Sequence, residues 1–192
     1  MLAGDLHVAY LRDRFLRCLL LLVLTACSGG GDASSDDAND STATDLPAVL
    51  QNGTTTLDLG DYFMPFSIYI PDSMRGIPTI EETGYGETVI SVGSTFHMVA
   101  AEGGDLNLFK TEMMNDLMYK NTVVEEGEDF ILYKSEIDGS FLDPEFHFYS
   151  VKTLNGVTFE FHDFNEEGGY AESVARFMLE SVNHLIVNQE AS

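Results

Sequence analysis

Thiols are scarce in this chain of 192 residues: it holds two cysteines, Cys18 and Cys27, both near the start. Beyond Cys27 this excludes disulfides, thiolate chemistry and cysteine-ligated zinc. A chain of this size can build a core without such staples. Cations are scarce as well. Nine Lys and Arg face 32 Asp and Glu, for a formal net charge of −23. A nucleic-acid partner needs a cationic footprint, so that class is excluded, and anionic lipid surfaces would repel the folded part. Catalytic signatures are missing too. No G-x-S-x-G surrounds Ser94 or Ser140, and no H-E-x-x-H occurs. Gly84-Tyr85-Gly86 begins like a phosphate loop, but Val89 stands where the third glycine belongs.

What the chain does have begins with its leader. Arg12, Arg14 and Arg17 precede an apolar run, Cys18 to Leu24. That run is far short of the roughly 20 residues that span a bilayer. A basic start before a short apolar stretch is the pattern of a signal peptide, although Asp5 and Asp13 are unusual in one. The run leads into Leu24-Thr25-Ala26-Cys27, which resembles the lipobox of bacterial lipoproteins. The resemblance implies that residues 1–26 are removed and that Cys27 carries lipid. Several acyl chains anchor stably where one binds only marginally. Ser28 at the next position resembles the outer-membrane class of these proteins.

Residues 27–53 are rich in Gly, Ser and Asp. Most of that stretch has too few large apolar side chains to offset the entropy of ordering, so it reads as a flexible acidic tether. Its Asp32, Asp36, Asp37 and Asp40 lack the spacing of a calcium loop. Order is expected to begin near Leu46, with a single globular domain over 54–192. Hydrophobic content of 44% suits a packed core.

Within that domain, Phe66 to Ile70 reads as a strand stopped at Pro71. Glu87 to Val92 and Thr95 to Ala100 flank Gly93-Ser94 as a hairpin. Asp105 is a suitable N-cap for a helix predicted to run to about Tyr119, with Leu106, Phe109, Met113 and Leu117 on one face. Strands are expected at Thr122 to Glu125, Phe130 to Ile137, Phe146 to Leu154 and Val157 to Phe164. The last two flank Asn155-Gly156, the strongest short hairpin signal. A second amphipathic helix spans about 170–187, with Val174, Phe177, Met178, Ser181 and Val182 on its apolar face. The class is therefore α+β: an antiparallel sheet of six or seven strands covered by two amphipathic helices. This order, with its Phe66-Ser67-Ile68-Tyr69-Ile70-Pro71 start and its closing Ala175-Arg176-Phe177-Met178-Leu179-Glu180-Ser181-Val182 helix, resembles the PsbP/Mog1-like superfamily over roughly residues 57–187. Some members of that superfamily are bacterial envelope lipoproteins, and because members have diverse or unknown, largely non-enzymatic roles, the resemblance carries over no catalytic residue.

The Asn155-Gly156 turn predicts the pairs Leu154 with Val157, Tyr149 with His162 and His147 with Phe164. One face of the hairpin then carries Phe146, Phe148, Phe159 and Phe161. The other carries His147, Tyr149, Glu160 and His162. His147, Glu160 and His162 are candidate ligands for a divalent cation such as zinc. The same residues also suit a second sheet face half-covered by a helix. Two carboxylate groups, Glu125 to Asp129 and Asp138-Asp143-Glu145, offer weak calcium contact or simple solvated turns. His97 and His184 stand alone.

The expected function is a lipid-anchored protein of the bacterial envelope, at the outer membrane. It would bind a partner protein or support an assembly, without enzymatic activity or a required cofactor. The alternative is a small-molecule or metal-ion binding module built on the His147/His162 face.

Overall fold

The computed structural model describes residues 46–164 and 168–188. The leader, Cys27 and the aspartates of the tether lie outside the described residues.

Period-two alternation sets ten segments of the described residues into strands. After a helical turn α1 (Ala48–Gln51) come β1 (Thr54–Asp58), β2 (Phe66–Pro71), β3 (Pro78–Glu82), β4 (Thr88–Val92) and β5 (Phe96–Glu102). Helix α2 (Leu106–Met114) follows, then β6 (Lys120–Glu126), β7 (Phe130–Glu136), β8 (Glu145–Leu154), β9 (Val157–Asp163), helix α3 (Glu172–Asn183) and the short β10 (Ile186–Val187). Seven strands form one antiparallel sheet in the order β3-β4-β5-β9-β8-β7-β6. The architecture is α+β, as the patterning implies. A second sheet, β1-β2-β10, was not evident in the sequence.

The β8–β9 hairpin has the expected register, Leu154 opposite Val157 and Tyr149 opposite His162, but the expected pair of His147 with Phe164 does not form, the Phe164 N–H donating to the His97 carbonyl instead. Asn155 and Gly156 both take positive φ, 51° and 84°, as a tight turn matching the strand twist requires. With that register, Phe148, Phe159 and Phe161 fall on one face and are fully buried. They meet Phe66, Ile68 and Ile70 of the small sheet, and Ala175, Met178, Leu179 and Val182 of α3. Phe66 packs edge-on against Phe159 and Phe161, with centroids 5.3 and 5.5 Å apart. That geometry suits the aromatic quadrupole. Ser181 of α3 is satisfied by the Tyr69 carbonyl, which ties helix to small sheet.

The opposite face of the large sheet is covered by α2. Asp105 caps this helix as expected, its side chain accepting from the N–H groups of Asn107 and Leu108. Met113 is buried against Ile131 and Tyr149, with Leu106 and Phe109 beside them.

Several boundaries differ from expectation: the closing helix, expected over about 170–187, spans Glu172–Asn183, and Ile186–Val187 pair with β2 as β10 instead. Helix α2 stops at Met114, not near Tyr119. Asp116 accepts from the N–H groups of Met118 and Tyr119 instead. A short acidic side chain that bonds nearby backbone in this way competes with the helix. Leu117 and Met118 are therefore exposed rather than part of the apolar stripe. Within the stretch read as tether, Ala48–Gln51 form the helical turn α1. Leu50 of α1 is buried, and the Thr54 hydroxyl donates to its carbonyl.

Candidate functional site

Polar chemistry collects on the face that α2 covers. The β8–β9 ladder runs from the turn as far as the pair Tyr149–His162. Past that pair, the Phe148 N–H donates to Asp163 Oδ1 at 3.0 Å, and Phe146 pairs with Tyr170 in an isolated bridge. Asp163 therefore stands where a backbone carbonyl would continue the ladder. Its other oxygen, Oδ2, lies 2.8 Å from His147 Nδ1. Both side chains are buried. Phe148 N–H already occupies one carboxylate oxygen as donor, so His147 Nδ1–H is the donor to the other.

The ring of Tyr133 stacks on His147, centroids 5.1 Å apart. Burial is the main reason its phenol is held well above its ordinary pKa, and the charges of Asp163 and Asp116 add to it. Tyr149 is sandwiched differently. Phe109 of α2 stacks on it at 4.0 Å, nearly parallel, and its hydroxyl donates to Glu160 Oε2 at 2.5 Å. Burial first, and the Glu160 carboxylate second, raise the Tyr149 phenol. Tyr170 donates to the Phe164 carbonyl, and burial followed by the charge of Asp163 pushes its phenol up to about 12.

Two adjoining hollows open on this face, both lined by Phe109, Tyr133 and His147. One, of about 320 Å³, is bounded by Glu112, Asp116 and Glu145. The other, of about 340 Å³, is bounded by Tyr149, Glu160, His162 and Asp163. Gly169 packs against the first. A Cβ there would lie 2.2 Å from Glu145 Cβ and 3.0 Å from His147 Cε1, so only glycine permits the close approach.

His147, Glu160 and His162 thus line one hollow, but they do not converge as a metal-binding set. His147 is held by Asp163, and Glu160 is taken by Tyr149. His162 Nδ1 lies 2.9 Å from the Asp163 carbonyl. Among the described residues, no three His, Cys, Asp or Glu side chains are placed to hold a metal ion. Pairing puts the three residues of the expected zinc-type site on one face, and each side chain there has a different partner.

The Glu125 to Asp129 group is likewise engaged. Glu125 pairs with Arg176, Glu126 with Lys110 and Asp129 with Lys152. Of the lone histidines, His97 meets the Ser91 hydroxyl at 2.9 Å, and His184 lies 3.3 Å from Glu180. Asp163 was overlooked in the sequence. The available signal was a carboxylate in phase with Phe159 and Phe161 on an otherwise apolar face, which needs a partner when buried.

Compared with protein-family models, with curated proteins and with solved structures, the chain matches none. The PsbP/Mog1-like resemblance gains no relative or structural neighbour from these comparisons.

Proposed function

We propose that this chain is a lipid-anchored protein of the bacterial envelope that works by binding a partner protein rather than by catalysis. One observation carries the binding reading. Leu117 and Phe141 are fully exposed, and Met118 and Leu142 largely so. They belong to the segment leading into β6 and the segment leaving β7. Lys120 and Glu136 are paired across those two strands, so both segments leave the same end of the sheet. Apolar side chains gathered at one end favour a contact surface, and methionine adapts readily to varied partners. The lipobox Leu24-Thr25-Ala26-Cys27 and Ser28 support the envelope address, with lipid on Cys27 and the outer membrane as destination.

The test has two arms. In the first, Cys27→Ala is expected to abolish incorporation of labelled fatty acid; undiminished labelling would overturn the anchor. In the second, a photo-crosslinking amino acid at Phe141 is expected to trap one discrete envelope protein, whereas the same probe at Thr153, on the other end of β8, is not. Equal products from both positions would overturn the surface.

A further inference from the structure

We propose that the hollow beside His147 is a binding site for a primary alkylammonium group, presented by a small free amine or by a lysine side chain. His147 is 4% exposed, and its Nδ1 is committed to Asp163. Among the described residues its Nε2 has no hydrogen-bond partner, whereas no fully buried side-chain nitrogen or oxygen lacks one. Nε2 therefore opens onto the hollow, on the side where Glu145 stands. In the tautomer that carries its proton on Nδ1 alone, the ring presents a lone pair there.

Glu145 Oε2 lies 4.0 Å from Nε2. Two acceptors at that separation cannot bond to one another. A nitrogen placed about 2.9 Å from each would bridge them, and an ammonium has three N–H donors to use. The surrounding charge agrees. Glu112, Asp116 and Glu145 bound this hollow, and none is bridged by a lysine or arginine among the described residues. Among the described residues, Lys110, Lys120, Lys134, Lys152 and Arg176 all contact other carboxylates. Asp116 is held in its charged form chiefly by the Tyr119 N–H and then by that of Met118. A cleft lined by one sign of charge concentrates the opposite sign. Phe109, Met113 and Tyr133 offer apolar and aromatic surface to an alkyl stem and a cation. A volume of about 320 Å³ is at the small end of ligand pockets. The site stands independently of the partner surface proposed above.

The experiment titrates the full chain with n-butylamine, which reproduces the end of a lysine side chain, at an ionic strength near 0.15 M to screen diffuse attraction. Calorimetry reads stoichiometry and affinity, and nitrogen NMR reads the His147 ring. One saturable site is expected, with a shift at Nε2, while 1-butanol gives neither. Glu145→Gln keeps the shape and is expected to weaken binding about tenfold or more, as loss of a charge-assisted hydrogen bond should. Glu87→Gln, at the β3–β4 turn, is expected to leave it unchanged. A blocked pentapeptide with one central lysine distinguishes the sources: displacement of butylamine points to a protein side chain, and its failure to a free amine. Equal binding of the alcohol, an unmoved Nε2 resonance, or full affinity in Glu145→Gln would each overturn the proposal.

Discussion

The two faces of the large sheet use the same strands for different ends. Toward α3 and the small sheet, Phe148, Phe159, Phe161, Leu132 and Met98 meet a continuous apolar layer. Toward α2, the residues between them include His147, Tyr149, Glu160 and His162, and hollows remain. The first face is closed by two elements, α3 and the small sheet. The second has one nine-residue helix, and its apolar contacts are confined to a few residues around Met113. Stability should therefore reside chiefly in the face with the continuous apolar layer, and polar ligand chemistry in the face that carries the histidines and carboxylates.

The comparison breaks most visibly if the faces prove equally costly to damage. Phe161→Ala empties a fully buried site and should cost roughly 3–5 kcal/mol. Phe109→Ala, at the edge of the hollows, should cost only about 1–2 kcal/mol. Denaturant midpoints at constant slope would decide, and equal losses would end the distinction between a structural and a functional face.

Asp163 sits where the two faces join, and sharpens the contrast. Asp163→Asn keeps an oxygen for the Phe148 N–H but turns an NH₂ toward His147 Nδ1. The ring must then change tautomer, moving its proton to Nε2. A loss of about 2–3 kcal/mol is expected, as for a hydrogen bond to a charged group. Nitrogen NMR of the His147 ring reads the tautomer directly. A ring that keeps its proton on Nδ1 would mean that Asp163 does not orient it.

The smallest effect concerns alkaline pH. Tyr170 has its phenol raised to about 12, first by burial and then by Asp163. Its ordinary value is about 10. The folded state thus holds this proton more tightly than the unfolded state. The stability linked to it is fully present below about pH 10 and is lost as pH rises through about 12. Urea midpoints measured across that window should fall, and fall less steeply in Tyr170→Phe. An identical slope in the variant would remove Tyr170 from the account.

Local patterns made much of this legible. Asn155-Gly156 between two alternating runs carries its own turn geometry, so the β8–β9 register and its buried Phe face followed from a handful of adjacent residues. Asp105 before an apolar stripe marked the start of α2 in the same way. Its end was less legible, because Leu117 and Met118 continue the helical spacing although the chain leaves the helix at Asn115. Spacing reports what a helix would bury if it continued. Whether it continues depends on Asp116 finding the backbone of Met118 and Tyr119.

By itself, the sequence determined the acidity, the lipobox-like start, the α+β class and the side of the hairpin on which each histidine lies. These are properties of composition and of neighbours along the chain. Tertiary structure decided the rest. It drew β1, β2 and β10 into a separate sheet over the phenylalanine face. It also brought Asp163 to His147, Glu160 to Tyr149, and Glu145 to within 4.0 Å of His147 Nε2. Pairing register places residues on a face, but a side chain takes its partner from whatever packing leaves within hydrogen-bond reach, and that competition is settled only in three dimensions.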